Sequence, residues 1–150
     1  LLGLSGKSND MRDIIAAEMK GDQQALRARR MFTRRVVKYI GAYYALLGGA
    51  DAIVFCGGVG EWSQYAREKI VSRLGGFGIE LDRKVNQECA GVKDVISTPR
   101  SSCKVLVIPT DEELMIARSV VMTLVNDEVP QVPEKGTEVK PKAKKAEKKK

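Results

Sequence analysis

Apolar residues recur along this chain with two different spacings, and each marks a different kind of element. Ile14, Ile15 and Ala17 supply the apolar surface of a helix from about Met11 to Lys20, capped by Asn9 or Asp10 and stopped by Gly21. Between about Gln23 and Leu47, Phe32, Val36, Ile40, Tyr43 or Tyr44, and Leu47 return every three or four residues. That is the stripe of a long helix, and Gly48-Gly49 ends it. Ala52 to Cys56 is a short continuous apolar run, β-branched and aromatic, and predicts a buried strand. Gly57, Gly58 and Gly60 predict a turn after it. Ala66, Ile70 and Leu74 then restore helical spacing from about Glu61 to Leu74, before Gly75-Gly76. Further on, the pattern predicts a short strand at Phe77 to Leu81, one or two helical turns at Asp82 to Glu88, and strands at Val92 to Ser97 and Cys103 to Ile108. Thr110 and Glu113 have capping-box spacing before a last helix that reaches about Asn126. The opening, Leu1 to Asn9, reads as a strand end or loop.

This order predicts an α/β layer structure with a mostly parallel sheet. Ligands bind such sheets at strand ends, which singles out Gly57 to Glu61 and Thr110 to Glu113. Both stretches follow an apolar strand and open a helix, so both belong near one cleft. Bare glycine backbone at a helix start lets an anionic ligand approach closely. The spacing is neither the Gly-x-Gly-x-x-Gly fingerprint nor a P-loop. Asp10 and Arg12 read either as a cap with a solvated arginine or as a polar pair turned toward a ligand. Among Asp111, Glu112 and Glu113, capping occupies Glu113 and can occupy Asp111. Glu112 is then the acid freest to reach a metal ion or its water, although all three also suit the helix dipole.

Charge changes this picture little. The net charge is +7, but 8 Lys and 3 Glu fall between Glu134 and Lys150, so the remainder carries only +2. From about Pro130 the composition predicts a disordered basic tail, 130–150, after a folded part, 1–129. The row Arg27, Arg30, Arg34 and Lys38 reads as a solvated helix face, with no motif for specific nucleic-acid recognition. Cys56, Cys89 and Cys103 form no close-spaced metal motif and favour a reducing compartment, and Cys56 reads as a small buried side chain. No apolar run has membrane-spanning length and no signal peptide is recognisable, so no membrane partner and a cytoplasmic location are expected. Leu1-Leu2-Gly3-Leu4 reads like the interior of a longer chain.

Several stretches together resemble the acetokinase family. They are Leu4-Ser5-Gly6-Lys7-Ser8-Asn9-Asp10-Met11-Arg12-Asp13, Lys38-Tyr39-Ile40-Gly41-Ala42-Tyr43, Asp51-Ala52-Ile53-Val54-Phe55, Gly57-Gly58-Val59-Gly60-Glu61, Ile96-Ser97-Thr98 and Val107-Ile108-Pro109-Thr110-Asp111-Glu112-Glu113. They follow in family order from about Leu1 to Asn126, as in the C-terminal part of such enzymes. The resemblance implies a ribonuclease-H-like domain of the sugar kinase, actin and heat-shock ATPase superfamily, truncated at its N-terminal side. It implies reversible transfer of the ATP γ-phosphoryl group to acetate, with Mg²⁺, giving acetyl phosphate and ADP. Propionate or butyrate kinase is the alternative within the family. A non-catalytic nucleotide-binding or dimerisation module with a basic tail is the alternative outside it. By the same resemblance Asp10, Met11 and Arg12 lie on the adenosine side, Gly57, Gly58, Val59, Gly60 and Glu61 form the nucleotide loop, and Glu112 is the catalytic, magnesium-associated acid. A cytosolic homodimer is also implied.

The chain departs from the family pattern at Lys7, where Val or Ile is common, at Cys56 for Thr, and at Trp62 for Asn. It contains no histidine. The family's acyl pocket and transition-state histidines precede the equivalent of Leu1, so these 150 residues are expected to be inactive alone.

Overall fold

A computed structural model describes residues 1–92 and 94–126. The expected disordered tail at 130–150, and the boundary drawn before it, lie outside the described residues. Leu1–Thr110 form one compact unit, and the described residues 111–126 belong to a second.

Short polar side chains start the helices of the first unit. Asp10 caps α2 (Met11–Met19), its carboxylate accepting the Arg12 N–H, and Asp22 caps α3 (Gln23–Leu46) through the Ala25 N–H. Ser63 caps α5 (Gln64–Val71) and Asp82 caps α6 (Arg83–Glu88). Each cap satisfies an amide that the helix itself leaves unpaired, an effect of about 1 kcal/mol. Gly49 ends α3 at φ 117°, its N–H reaching back to the Tyr44 carbonyl.

The opening residues form neither strand nor simple loop. Leu2–Ser5 make one helical turn, α1, ended by Gly6 in the left-handed conformation. Ser5 is fully buried, and its hydroxyl takes the Lys7 and Ser8 N–H groups, which tightens the turn the sequence could not show.

The sheet is small. β1 (Ala52–Phe55) runs parallel to β3 (Lys104–Val107), which pairs antiparallel with the two-residue β2 (Asp94–Val95), in the order β1-β3-β2. Among the described residues the sheet is therefore mixed rather than mostly parallel. The strand expected at Phe77 to Leu81 is instead a 3₁₀ turn at Gly75–Phe77, followed by a single bridge between Leu81 and Ser97. Gly78 at φ 74°, packed against the Ser102 side chain, turns the chain there.

Alternation along β3 buries Val105 and Val107, and they join Phe55, Ile70, Leu74 and Ile96 in the main core. Val36, Val37, Ile40 and Tyr44 lay the apolar stripe of α3 against it. Each fully buried aliphatic side chain contributes about 2 kcal/mol. Met11, Ile14, Ala25 and Ala28 form a second cluster between α2 and α3. β1 is less buried than a continuous apolar run suggests, with only Phe55 fully inside.

In the second unit, α7 (Glu112–Asn126) begins at an Asp111 cap. The Asp111 carboxylate accepts the Leu114 N–H at 2.9 Å, so Asp111 does the work expected of Thr110 and Glu113. Thr110 is engaged with Glu61. Among the described residues no helix is long and apolar enough to cross a membrane.

Candidate functional site

The glycine stretch after β1 is itself helical. Gly57, at φ 67°, begins the six-residue α4 (Gly57–Trp62), where a turn preceding a helix at Glu61 was expected. Ser63 then separates α4 from α5 instead of one helix running to Leu74. Gly60 is needed for packing, because a Cβ there would lie 3.2 Å from the Phe55 backbone carbon. Gly57, Gly58, Val59 and Gly60 line an apolar cleft of about 350 Å³ together with Phe32 and Val36 of α3.

Two polar side chains hold this short helix in place. The Glu61 carboxylate folds back so that Oε1 accepts the Gly57 N–H at 2.7 Å, and the Thr110 N–H and hydroxyl, each at 2.9 Å. Glu61 is buried, and these donors, the Thr110 N–H foremost, hold its carboxyl below the usual glutamate range. The start of α4 is thereby tied to the end of the β3 segment. At the other end, Arg67 donates from Nη1 to the Gly60 and Glu61 carbonyls at 2.7 and 2.8 Å. Its Nε reaches Asn86 Oδ1 at 2.9 Å, and Nη2 reaches the Asn86 and Cys89 carbonyls. Arg67 is fully buried, and among the described residues its hydrogen bonds go to carbonyl and amide oxygens, not to a carboxylate. Burial pulls its pKa down.

Asp10 and Arg12 sit at the start of α2 as an ion pair. The Arg12 guanidinium meets both Asp10 oxygens, Nη2 to Oδ2 at 2.6 Å, and the Asp10 carboxyl is lowered to about 2 by the Arg12 side chain and N–H. The Arg12 side chain is 90% exposed. Met11 between them is buried in the second apolar cluster, against which Val59 of α4 also packs. The fold thus brings the Asp10–Arg12 segment and the glycine helix to one cluster. Glu112 is the first residue of α7, and its neighbour Asp111 is engaged in capping.

The departures from the family pattern find local partners. The Lys7 ammonium pairs with Asp22 at 2.8 Å. The Trp62 ring lies on Gly91, where a Cβ would overlap it. Cys56 is exposed, not buried as expected, because strand alternation turns Phe55 inward and leaves its neighbour on the open side.

Sequence reasoning passed over Arg67, although a charge flanked by Ala66 and Ile70 on a buried helix face was the available signal. It also passed over the bidentate pair of Glu18 with Arg29 and its contact to Tyr65, whose partners lie far apart in the chain.

Residues 1–118 match the acetokinase family profile. The chain belongs to the acetokinase family. Acetate kinase 1 of Lactococcus lactis subsp. lactis is 55% identical over 120 residues, which span 80% of this chain and 30% of that protein. Acetate kinase of Clostridium novyi is 51% identical over 118 residues, 79% of this chain and 29% of the relative. The crystal structure of Porphyromonas gingivalis acetate kinase superimposes with a TM-score of 0.73 at 46% identity, covering 82% of this chain and 31% of that one. A propionate kinase from Francisella tularensis gives 0.70 at 37% identity, covering 78% and 29%. This acetokinase chain therefore has the fold of the sugar kinase, actin and heat-shock ATPase superfamily, and it spans about three-tenths of the length of these relatives.

Among the described residues no cluster of three His, Cys, Asp or Glu side chains gathers to hold a metal ion. Mg²⁺ in phosphoryl-transfer sites takes one or two carboxylates, with phosphate oxygens and water completing its shell. A single exposed acid such as Glu112 fits that role.

Proposed function

We propose that this chain is the nucleotide-side, C-terminal portion of a kinase that transfers the ATP γ-phosphoryl group reversibly to acetate. The observation that carries the reading is α4, a glycine helix lining a cleft and fastened at both ends by Glu61 and Arg67. Phosphoryl transfer asks a protein chiefly for alignment and charge neutralisation. Bare backbone at Gly57 and Gly58, where a Cβ would meet open space, admits the phosphates closely, Gly60 lets α4 pack against Phe55, and Glu61 acts on the nucleotide indirectly, by holding Gly57 and Thr110. Asp10, Met11 and Arg12 take the adenosine side, with Arg12 free to turn from Asp10 toward the ligand. Glu112 would hold Mg²⁺ directly or through water, and the ion when bound would neutralise phosphate charge. The acid substrate is itself the nucleophile, so no side chain here attacks phosphorus. The likeness to a propionate kinase keeps a three-carbon acid as the second reading. A cytosolic location and homodimeric assembly belong to the same proposal.

The test uses the natural polypeptide that carries this sequence, with acetate, propionate and butyrate as acceptors and the acyl phosphate trapped as hydroxamate. One preferred acid is expected, with Glu112→Ala reducing turnover by about 100-fold, or ~2.7 kcal/mol, while the fold is retained. The 150-residue chain alone is expected to give no acyl phosphate. A folded, nucleotide-binding polypeptide without turnover would overturn the kinase reading in favour of a binding module.

A further inference from the structure

Three helices meet at one buried ionic contact. Arg29 of α3 grips Glu18 of α2 in two parallel bonds, Nε to Oε2 at 2.8 Å and Nη2 to Oε1 at 2.6 Å. Tyr65 of α5 donates its hydroxyl to the same Oε1 at 3.1 Å. The two charged side chains are 6% and 9% exposed. The Arg29 guanidinium also lies 5.5 Å from the centre of the Tyr65 ring, and the Lys69 ammonium 4.8 Å. Arg29 holds the Glu18 carboxyl below its usual range.

Such a pair is weak evidence of stability, because apolar residues of equal volume hold helices together at least as well. What directional bonds add is a fixed distance and register. The distance fixed here matters to the proposed site. Glu18 lies roughly two turns along α2 from the Asp10–Arg12 pair. Tyr65 lies two positions before Arg67 on α5, so the two side chains leave that helix in different directions. Tyr65 reaches α2, whereas Arg67 holds the Gly60 and Glu61 carbonyls. α5 is thus a bar with one arm on α2 and the other on the glycine helix.

We propose that Glu18, Arg29 and Tyr65 are positioning residues that set the separation between the Asp10–Arg12 segment and the glycine helix, and thereby nucleotide affinity. The proposal rests on the reading that these two segments bind one nucleotide. None of the three touches the ligand; each acts through the helix that carries it. A carboxyl–hydroxyl contact released by one atom lets α5 settle against α2 in more than one register, which costs binding of a ligand spanning both.

Tyr65→Phe removes one hydroxyl and keeps the ring, so it is the first variant to make in the natural polypeptide. ADP dissociation constants come from calorimetry, and kcat and KM from turnover with ATP and acetate. The expected result is a rise of about three- to tenfold in ADP Kd and ATP KM, with kcat within about twofold and acetate KM and thermal midpoint unchanged. Glu18→Gln is expected to raise ATP KM further, and the double variant to be no worse than Glu18→Gln alone. An unchanged ADP Kd in folded Tyr65→Phe overturns the positioning role and leaves the nucleotide reading intact. A parallel loss of acetate affinity, ATP affinity and thermal stability also overturns it, since that is the mark of a merely structural contact. A wild type that binds no ADP overturns the nucleotide reading, and this proposal with it.

Discussion

Arg67 and Arg12 carry the same guanidinium group into opposite surroundings. Arg67 is fully buried, and its donors are spent on four backbone carbonyls and the Asn86 amide oxygen. Arg12 is exposed and bonded to a side chain two positions away. The difference teaches how one segment is made rigid and the other left available. Arg67 welds α4 to α5 and to the 86–89 segment, because removing it leaves several carbonyls buried without a donor. Nothing comparable depends on Arg12, since water can replace either partner of its pair.

The largest effect should therefore come from Arg67→Met. The substitution keeps a flexible apolar stem but supplies no donors. Each buried carbonyl left unpaired costs about 1–3 kcal/mol, so a loss of about 3 kcal/mol or more is expected by denaturant unfolding. A loss under about 1 kcal/mol would show that water enters and serves those carbonyls, and the contrast between the two arginines would collapse.

How much of this was legible in the sequence depends on the range of the interactions. The helices α2 and α3 were visible because the Asp10 cap of the one and the apolar period of the other act within a few residues. The glycine cluster marked the candidate site, but its helical state was hidden. That state is imposed by Arg67 and by Thr110, the latter far along the chain. The capping-box reading of Thr110 and Glu113 failed for the same reason, since Thr110 was already committed to Glu61. Of the candidate residues, Gly57 through Glu61 fall on one element and Asp10 through Arg12 on another, joined by an apolar cluster that includes Val59 and Met11. No local pattern reports that junction.

A smaller effect, and one that depends on pH, is expected at Glu61. Its carboxyl titrates below the ordinary value of 4.5 in the folded chain. The folded state therefore binds that proton less readily than the unfolded state does. The latch contributes its full stability above about pH 4.5 and loses it as pH falls through the lowered folded value. Glu61→Gln, which keeps an acceptor oxygen but cannot titrate, should flatten that part of the acid-unfolding profile. If wild type and Glu61→Gln lose stability in parallel between pH 5 and pH 3, the acid dependence belongs to other carboxylates, Glu18 first among them.

The smallest effect on stability is expected at Arg12, and there the comparison becomes sharpest. The Asp10 carboxylate already accepts the Arg12 backbone N–H, and that bond survives any change of side chain. Arg12→Ala should accordingly leave the thermal midpoint within error while ADP binding by the natural polypeptide weakens several-fold, because the guanidinium would have reached the nucleotide. Arg67→Met should lose stability first and binding as a consequence. Arg12→Lys separates charge from geometry: partial recovery of affinity points to a phosphate or other anionic contact, whereas none points to a planar, bidentate or stacked one. If Arg12→Ala instead lowers the thermal midpoint as far as Arg67→Met does, exposure is no guide to function in this fold. The adenosine-side role assigned to Asp10 and Arg12 would then fall.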